Sequence, residues 1–175
     1  GSRVLLVFSD PECGPCDVVA PLLQELHEER RDLQIIVVSR RDADAVRAAI
    51  REHRPDAVMQ FAARIEVGEG ETNPAHFYDN NVAGTLNLVR VMLEEGVKNL
   101  VFSSTCAIYG DPERLPLTED LPKRPVSVYG RSKLMTEQML ADVGIAHDLH
   151  HVILRYFNVA GADPNKRTGQ STAGA

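Results

Sequence analysis

Five short apolar, β-branched runs punctuate the chain, at residues 3–8, 33–38, 56–61, 99–104 and 151–156. Between them the apolar positions change period. Residues 16–30, 43–53, 74–95 and 132–143 carry apolar side chains at the three- and four-residue spacing that gives a helix one buried stripe. Strands apolar on both faces and separated by helices indicate βαβ units, hence a parallel sheet covered on both sides. Right-handed crossovers then limit the topology.

If the first two strands are adjacent, the third pairs on the free side of the first, and the order in chain numbering is 2-1-3-4-5. The expected fold is α/β, a three-layer, doubly wound, Rossmann-like or flavodoxin-like domain with a five-stranded parallel sheet. It should occupy residues 3–172 as one domain. The proline-rich stretch 111–126 reads as a long surface loop, Gly1-Ser2 as a cloning scar, and residues 173–175 as a tail.

Composition narrows the partners. The chain has 175 residues, 43% hydrophobic and 25% charged, as in a soluble globular domain. A net charge of -6 disfavours nucleic acid, which attracts basic patches. The apolar runs are too short to span a bilayer, so no membrane contact is expected, and a chain read as lacking a basic, apolar leader is expected in the cytoplasm. Three cysteines, two of them in a CxxC, fit redox chemistry better than a disulfide framework. No second CxxC or spaced histidine pair completes a metal site, so no metal is expected. His147, His150 and His151 read as a strand-entry loop, and Cys106 as a semi-buried thiol.

Cys13-Gly14-Pro15-Cys16 follows the first apolar run and opens a helix. Helix N–H groups there favour the Cys13 thiolate, and Cys16 would resolve a mixed disulfide. With Pro21 five residues further on, residues 3–39 resemble the dithiol unit of thioredoxin-like proteins. The resemblance implies a catalytic Cys13 and Cys16 pair.

The second constellation is Tyr129-Gly-Arg-Ser-Lys133. Positions four apart share a helix face, so the Lys133 ammonium can stand near the Tyr129 phenol and favour phenolate, bringing the group toward neutrality. Tyr129 could then accept a proton from a substrate hydroxyl. Ser103-Ser104-Thr105 ends the preceding strand, where ligands bind in open α/β sheets.

Taken with Phe61-Ala62-Ala63, Asn80-Asn81-Val-Ala-Gly-Thr, Tyr109-Gly110 and Arg155-Tyr-Phe-Asn158, residues 41–172 resemble a UDP-glucose 4-epimerase, an extended short-chain dehydrogenase. The resemblance implies NAD as cofactor and Thr105, Tyr129 and Lys133 as the catalytic set. It places Phe61, Ala62, Ala63, Arg64, Asn81, Ser103 and Tyr156 around the cofactor and Asn158 at the nucleotide sugar. It also allows a homodimer through helices 74–95 and 132–143.

The two resemblances meet where such an epimerase carries its dinucleotide-binding glycine turn. Here that place holds Asp10-Pro-Glu-Cys-Gly-Pro15. The first expectation is therefore a recombined or engineered α/β domain without a complete catalytic site and without a cofactor. Two alternatives stay open. One is a nucleotide-sugar epimerase or short-chain dehydrogenase fragment that binds NAD or a UDP-sugar; the other is a thiol-disulfide oxidoreductase using Cys13 and Cys16.

Overall fold

The structure is a computed structural model that describes the backbone of strand β1, Val4–Val7, and residues 42–158. Asp42 starts the first described helix. Its Oδ1 accepts from the amides of Asp44 and Ala45, at 3.0 and 2.9 Å, which satisfies two of the unpaired N–H groups of α1, Ala43–His53. Strand β2, Ala57–Gln60, follows and pairs with β1 in parallel register, Val4 opposite Ala57 and Val7 opposite Gln60.

The expected helix 74–95 is helical throughout its length but not one helix. A short α2, Val67–Thr72, precedes it, and the helix itself divides into α3, Pro74–Tyr78, a π-helical turn at Asp79–Ala83, and α4, Gly84–Glu94. In the π turn the Gly84 amide donates five residues back, to Asp79. The Asn81 carbonyl meanwhile accepts the Thr85 hydroxyl at 2.7 Å, a side-chain competitor for the regular ladder. The sequence showed no periodicity over α2, because Val-Gly-Glu-Gly-Glu-Thr has too few apolar positions to display one.

Strand β3, Asn99–Thr105, pairs with β2, and a 3-10 turn, Cys106–Tyr109, continues from it. Residues 111–126 form no helix or strand, as expected. The last helix, α5, spans Val128–His147, four residues longer at each end than its apolar period suggests. Ser127 caps it by accepting the Gly130 amide at 3.1 Å. Near its C-terminus Gly144 lets α5 lie close to His151, whose ring would stand 2.9 Å from a Cβ at that position. Strand β4, His150–Tyr156, pairs with β3 along its full length.

The four described strands are parallel in the order β1-β2-β3-β4. In the chain numbering of the five apolar runs, these are runs 1, 3, 4 and 5, adjacent as expected. The run 33–38 and the helix 16–30 lie outside the described residues. Gln60 and Phe102 are register partners; Gln60 reaches α4 and Phe102 reaches α5. Both helices therefore cover the same face of the sheet. Val46 and Ile50 of α1 complete that layer, closing a core with Val58, Leu88, Met92, Leu100, Phe102 and Leu140.

Candidate active site at the strand ends

Parallel adjacent strands bring all their carboxyl ends to one edge of the sheet, and the candidate residues gather there. After β2 the chain turns through Phe61, Ala62, Ala63 and Arg64. Asn81, presented by the π turn, reads that loop from both sides: its Oδ1 accepts the Arg64 amide at 2.9 Å, and its Nδ2 donates to the Arg64 carbonyl at 3.1 Å. The same Nδ2 donates to Ser132 of α5 at 3.0 Å. Asn81 thus ties the loop after β2 to the helix of Tyr129 and Lys133, with a side chain 2% exposed. Arg64 pairs through Nη1 with Glu69 of α2 at 2.6 Å.

Lys133 sits one residue beyond Ser132 and turns toward β3. Its Nζ donates to the Ser103 carbonyl at 2.6 Å, so Ser103 enters the site through its backbone. Tyr129, one turn earlier, is half-buried and hydrogen-bonds Thr105. Thr105 is itself buried; its hydroxyl also accepts the Ala107 amide at 3.2 Å and so starts the 3-10 turn. Across the sheet Thr105 is the register partner of Tyr156, which is followed by exposed Phe157 and Asn158.

The expected phenolate is corrected in one respect. Burial pushes the Tyr129 phenol above its ordinary range, the hydrogen bond with Thr105 pulls it back only in part, and the neighbouring Cys106 adds a further upward push. The proton therefore rests on Tyr129 across neutral pH. The dithiol of Cys13 and Cys16 lies outside the described residues. Among the described residues no group of His, Cys, Asp and Glu could hold a metal ion, and no helix is long and apolar enough to cross a membrane.

Several residues of the site have no counterpart in the sequence reading. Glu137 is buried, accepts the Ser104 hydroxyl at 2.5 Å, and pairs with Arg155 of β4. A signal for it existed: Tyr129, Lys133 and Glu137 follow at four-residue steps, a polar line on the face that α5 buries. Glu71 of α2 accepts the Val128 amide at 2.8 Å and so caps α5 from a distant segment, for which no local pattern exists.

The profile of the NAD dependent epimerase/dehydratase family matches residues 15–173. The chain belongs to the NAD dependent epimerase/dehydratase family. Within that family it is 45% identical to the UDP-glucose 4-epimerase of Azospirillum brasilense, over 98% of this chain and 49% of that protein. It is 43% identical to UDP-arabinose 4-epimerase 1 of Arabidopsis thaliana, over 86% of this chain and 36% of that protein. A solved UDP-glucose-4-epimerase from Stenotrophomonas maltophila, with bound NAD and formylated UDP-arabinopyranose, superposes with a TM-score of 0.84 at 30% identity, covering 99% of this chain and 57% of the other. The Brucella ovis UDP-glucose 4-epimerase in complex with NAD gives 0.77 at 34% identity, covering 93% and 54%. The chain spans about half the length of the UDP-glucose 4-epimerases it matches.

Proposed function

We propose that this chain is the cofactor-binding and proton-handling half of a nucleotide-sugar 4-epimerase. The observation that carries the reading is the placement of Tyr129, Thr105 and Lys133 at the carboxyl end of β3, in a chain similar to several 4-epimerases. The similarity to the Azospirillum protein runs along 98% of the chain, so it includes the thioredoxin-like stretch. That favours descent from one family over a join of two, and the epimerase-fragment alternative over a recombined domain without a site.

The described residues suit the nicotinamide end of NAD. Lys133 offers a cationic donor, Thr105 and Tyr129 offer hydroxyls, and Phe61, Ala62 and Ala63 supply an apolar wall after β2. When bound, NAD provides the acceptor for a hydride leaving the sugar carbon. Tyr129 holds its own proton in this chain, so it would accept the proton of the sugar hydroxyl at its Oη only after giving that proton up. Positive charge from Lys133 and from bound NAD would favour the phenolate this needs, and Thr105, already hydrogen-bonded to the phenol, orients it. Lys133 contributes positive charge, which favours the deprotonated hydroxyl when the proton is exchanged. Asn81 holds the loop after β2 against α5, so that wall and base keep one relative position. Asn158, exposed beyond β4, is offered to the nucleotide sugar. Calorimetric titration with NAD tests the reading: saturable one-to-one binding is expected, and no heat at millimolar NAD contradicts it.

A further inference from the structure

Lys133 is 3% exposed, and burying an ammonium is costly unless its surroundings supply negative potential. The Ser103 carbonyl is one such source. The second is an aromatic face. The Lys133 Nζ stands 4.8 Å from the ring centroid of Phe102, the residue immediately before Ser103 on β3. Phe102 is 1% exposed and packs among apolar residues of the sheet and α5, where a cation over a ring is least weakened by water.

We propose that Phe102 is a positioning residue for the active site: its ring and the following carbonyl together fix the place of the Lys133 ammonium before any ligand arrives. A lysine side chain has a flexible four-carbon stem, and ordering it costs conformational entropy. A ring beneath the ammonium and an acceptor beside it meet that cost during folding, leaving less to be met on binding. The meaning for catalysis rests on the reading of Lys133 given above; the cradle itself does not.

The test uses the ammonium proton and nitrogen resonances of Lys133 in the ¹⁵N-labelled full chain, assigned by their loss in Lys133→Met. Expected is a slowly exchanging Lys133 signal displaced upfield of Lys98 and Lys123 by the Phe102 ring current. Phe102→Leu should abolish the displacement and speed exchange, Phe102→Tyr should keep both, and Phe77→Leu, which removes another fully buried ring, should leave the signal in place. A wild-type Lys133 signal without upfield displacement overturns the proposal, as does an equal response to Phe77→Leu. If Phe102→Leu does not fold, the wild-type spectrum and Phe102→Tyr still decide. A displaced Lys133 signal in a chain that binds no NAD would leave the cradle standing and remove the epimerase reading.

Discussion

The Glu137 carboxylate meets the Arg155 guanidinium at two points, 3.1 Å from Nε and 2.8 Å from Nη2. Arg155 also donates through Nη1 to the Tyr109 hydroxyl at 2.8 Å, and Ser104 closes on the same Glu137 oxygen as Nε. One carboxylate on α5 therefore joins the ends of β3 and β4 to the turn after β3. These are the segments that present Thr105, Tyr156 and Asn158.

Breaking this pair should cost most when Arg155 is removed, because the Glu137 carboxylate left behind is buried, whereas the Arg155 guanidinium is partly exposed. Arg155→Ala is expected to cost about 3–5 kcal/mol in urea unfolding, and Glu137→Ala less. Glu137→Gln, which keeps an acceptor for Ser104, should cost less still. Equal stability of Glu137→Ala and the parent would remove the pair from the account.

Gly130 follows Tyr129 where α5 passes close to the turn after β3. A Cβ at this position would stand 2.7 Å from the Ala107 carbonyl oxygen and 3.0 Å from Pro125. Gly130→Ala is expected to destabilise by about 1–3 kcal/mol and to shift Tyr129 away from Thr105. Gly68 in α2 has nothing within 4 Å of the corresponding point, so Gly68→Ala should be neutral or gain up to about 1 kcal/mol. Denaturant midpoints of the two variants check the contrast.

The Tyr129 phenol sits above its ordinary range, so the folded state holds this proton more tightly than the unfolded chain. Its contribution to stability is fully present below the unfolded value of about 10 and is lost as pH rises through the higher folded value. Thr105→Val removes the hydrogen bond that pulls the phenol down and should move its titration still higher. Tyrosine-labelled NMR, with Tyr129→Phe for assignment, reads this directly. A Tyr129 that titrates below the ordinary tyrosine range contradicts it.

Glu71 caps α5 from outside the helix. Glu71→Ala is expected to cost about 1 kcal/mol and to raise hydrogen exchange at the Val128 amide, while Glu71→Gln, which retains an acceptor, should restore protection. Unchanged exchange at Val128 in Glu71→Ala would count against the cap.

The fold was largely legible in the sequence, and the reason is visible in particular elements. Val58, Leu100 and Phe102 lie in runs that are apolar enough to be buried strands, and the apolar period of residues 43–53 marks α1. The limits of α5 were not legible, since Ser127 and Gly144 act through a cap and through a close approach of His151 that apolar period does not record. The π turn was hidden for a similar reason: the Asn81 carbonyl within it accepts the Thr85 and Thr136 hydroxyls, contacts that apolar period does not record. At the site, Tyr129 and Lys133 were found because they share a helix. The links from Glu71 to Val128, Arg64 to Asn81 and Lys133 to Phe102 span 57, 17 and 31 positions, and no local spacing reveals them.

The account turns on whether Lys133, Tyr129 and Thr105 form the nicotinamide side of a working cofactor site. The most direct measurement is the affinity of the chain for NAD, compared between the parent, Lys133→Met and Lys98→Met, whose lysine stands on the surface paired with Asp148. The account predicts binding that Lys133→Met weakens about tenfold or more, equivalent to about 1.4 kcal/mol, and that Lys98→Met leaves unchanged. Equal affinity of the parent and Lys133→Met, with both proteins folded, would contradict it.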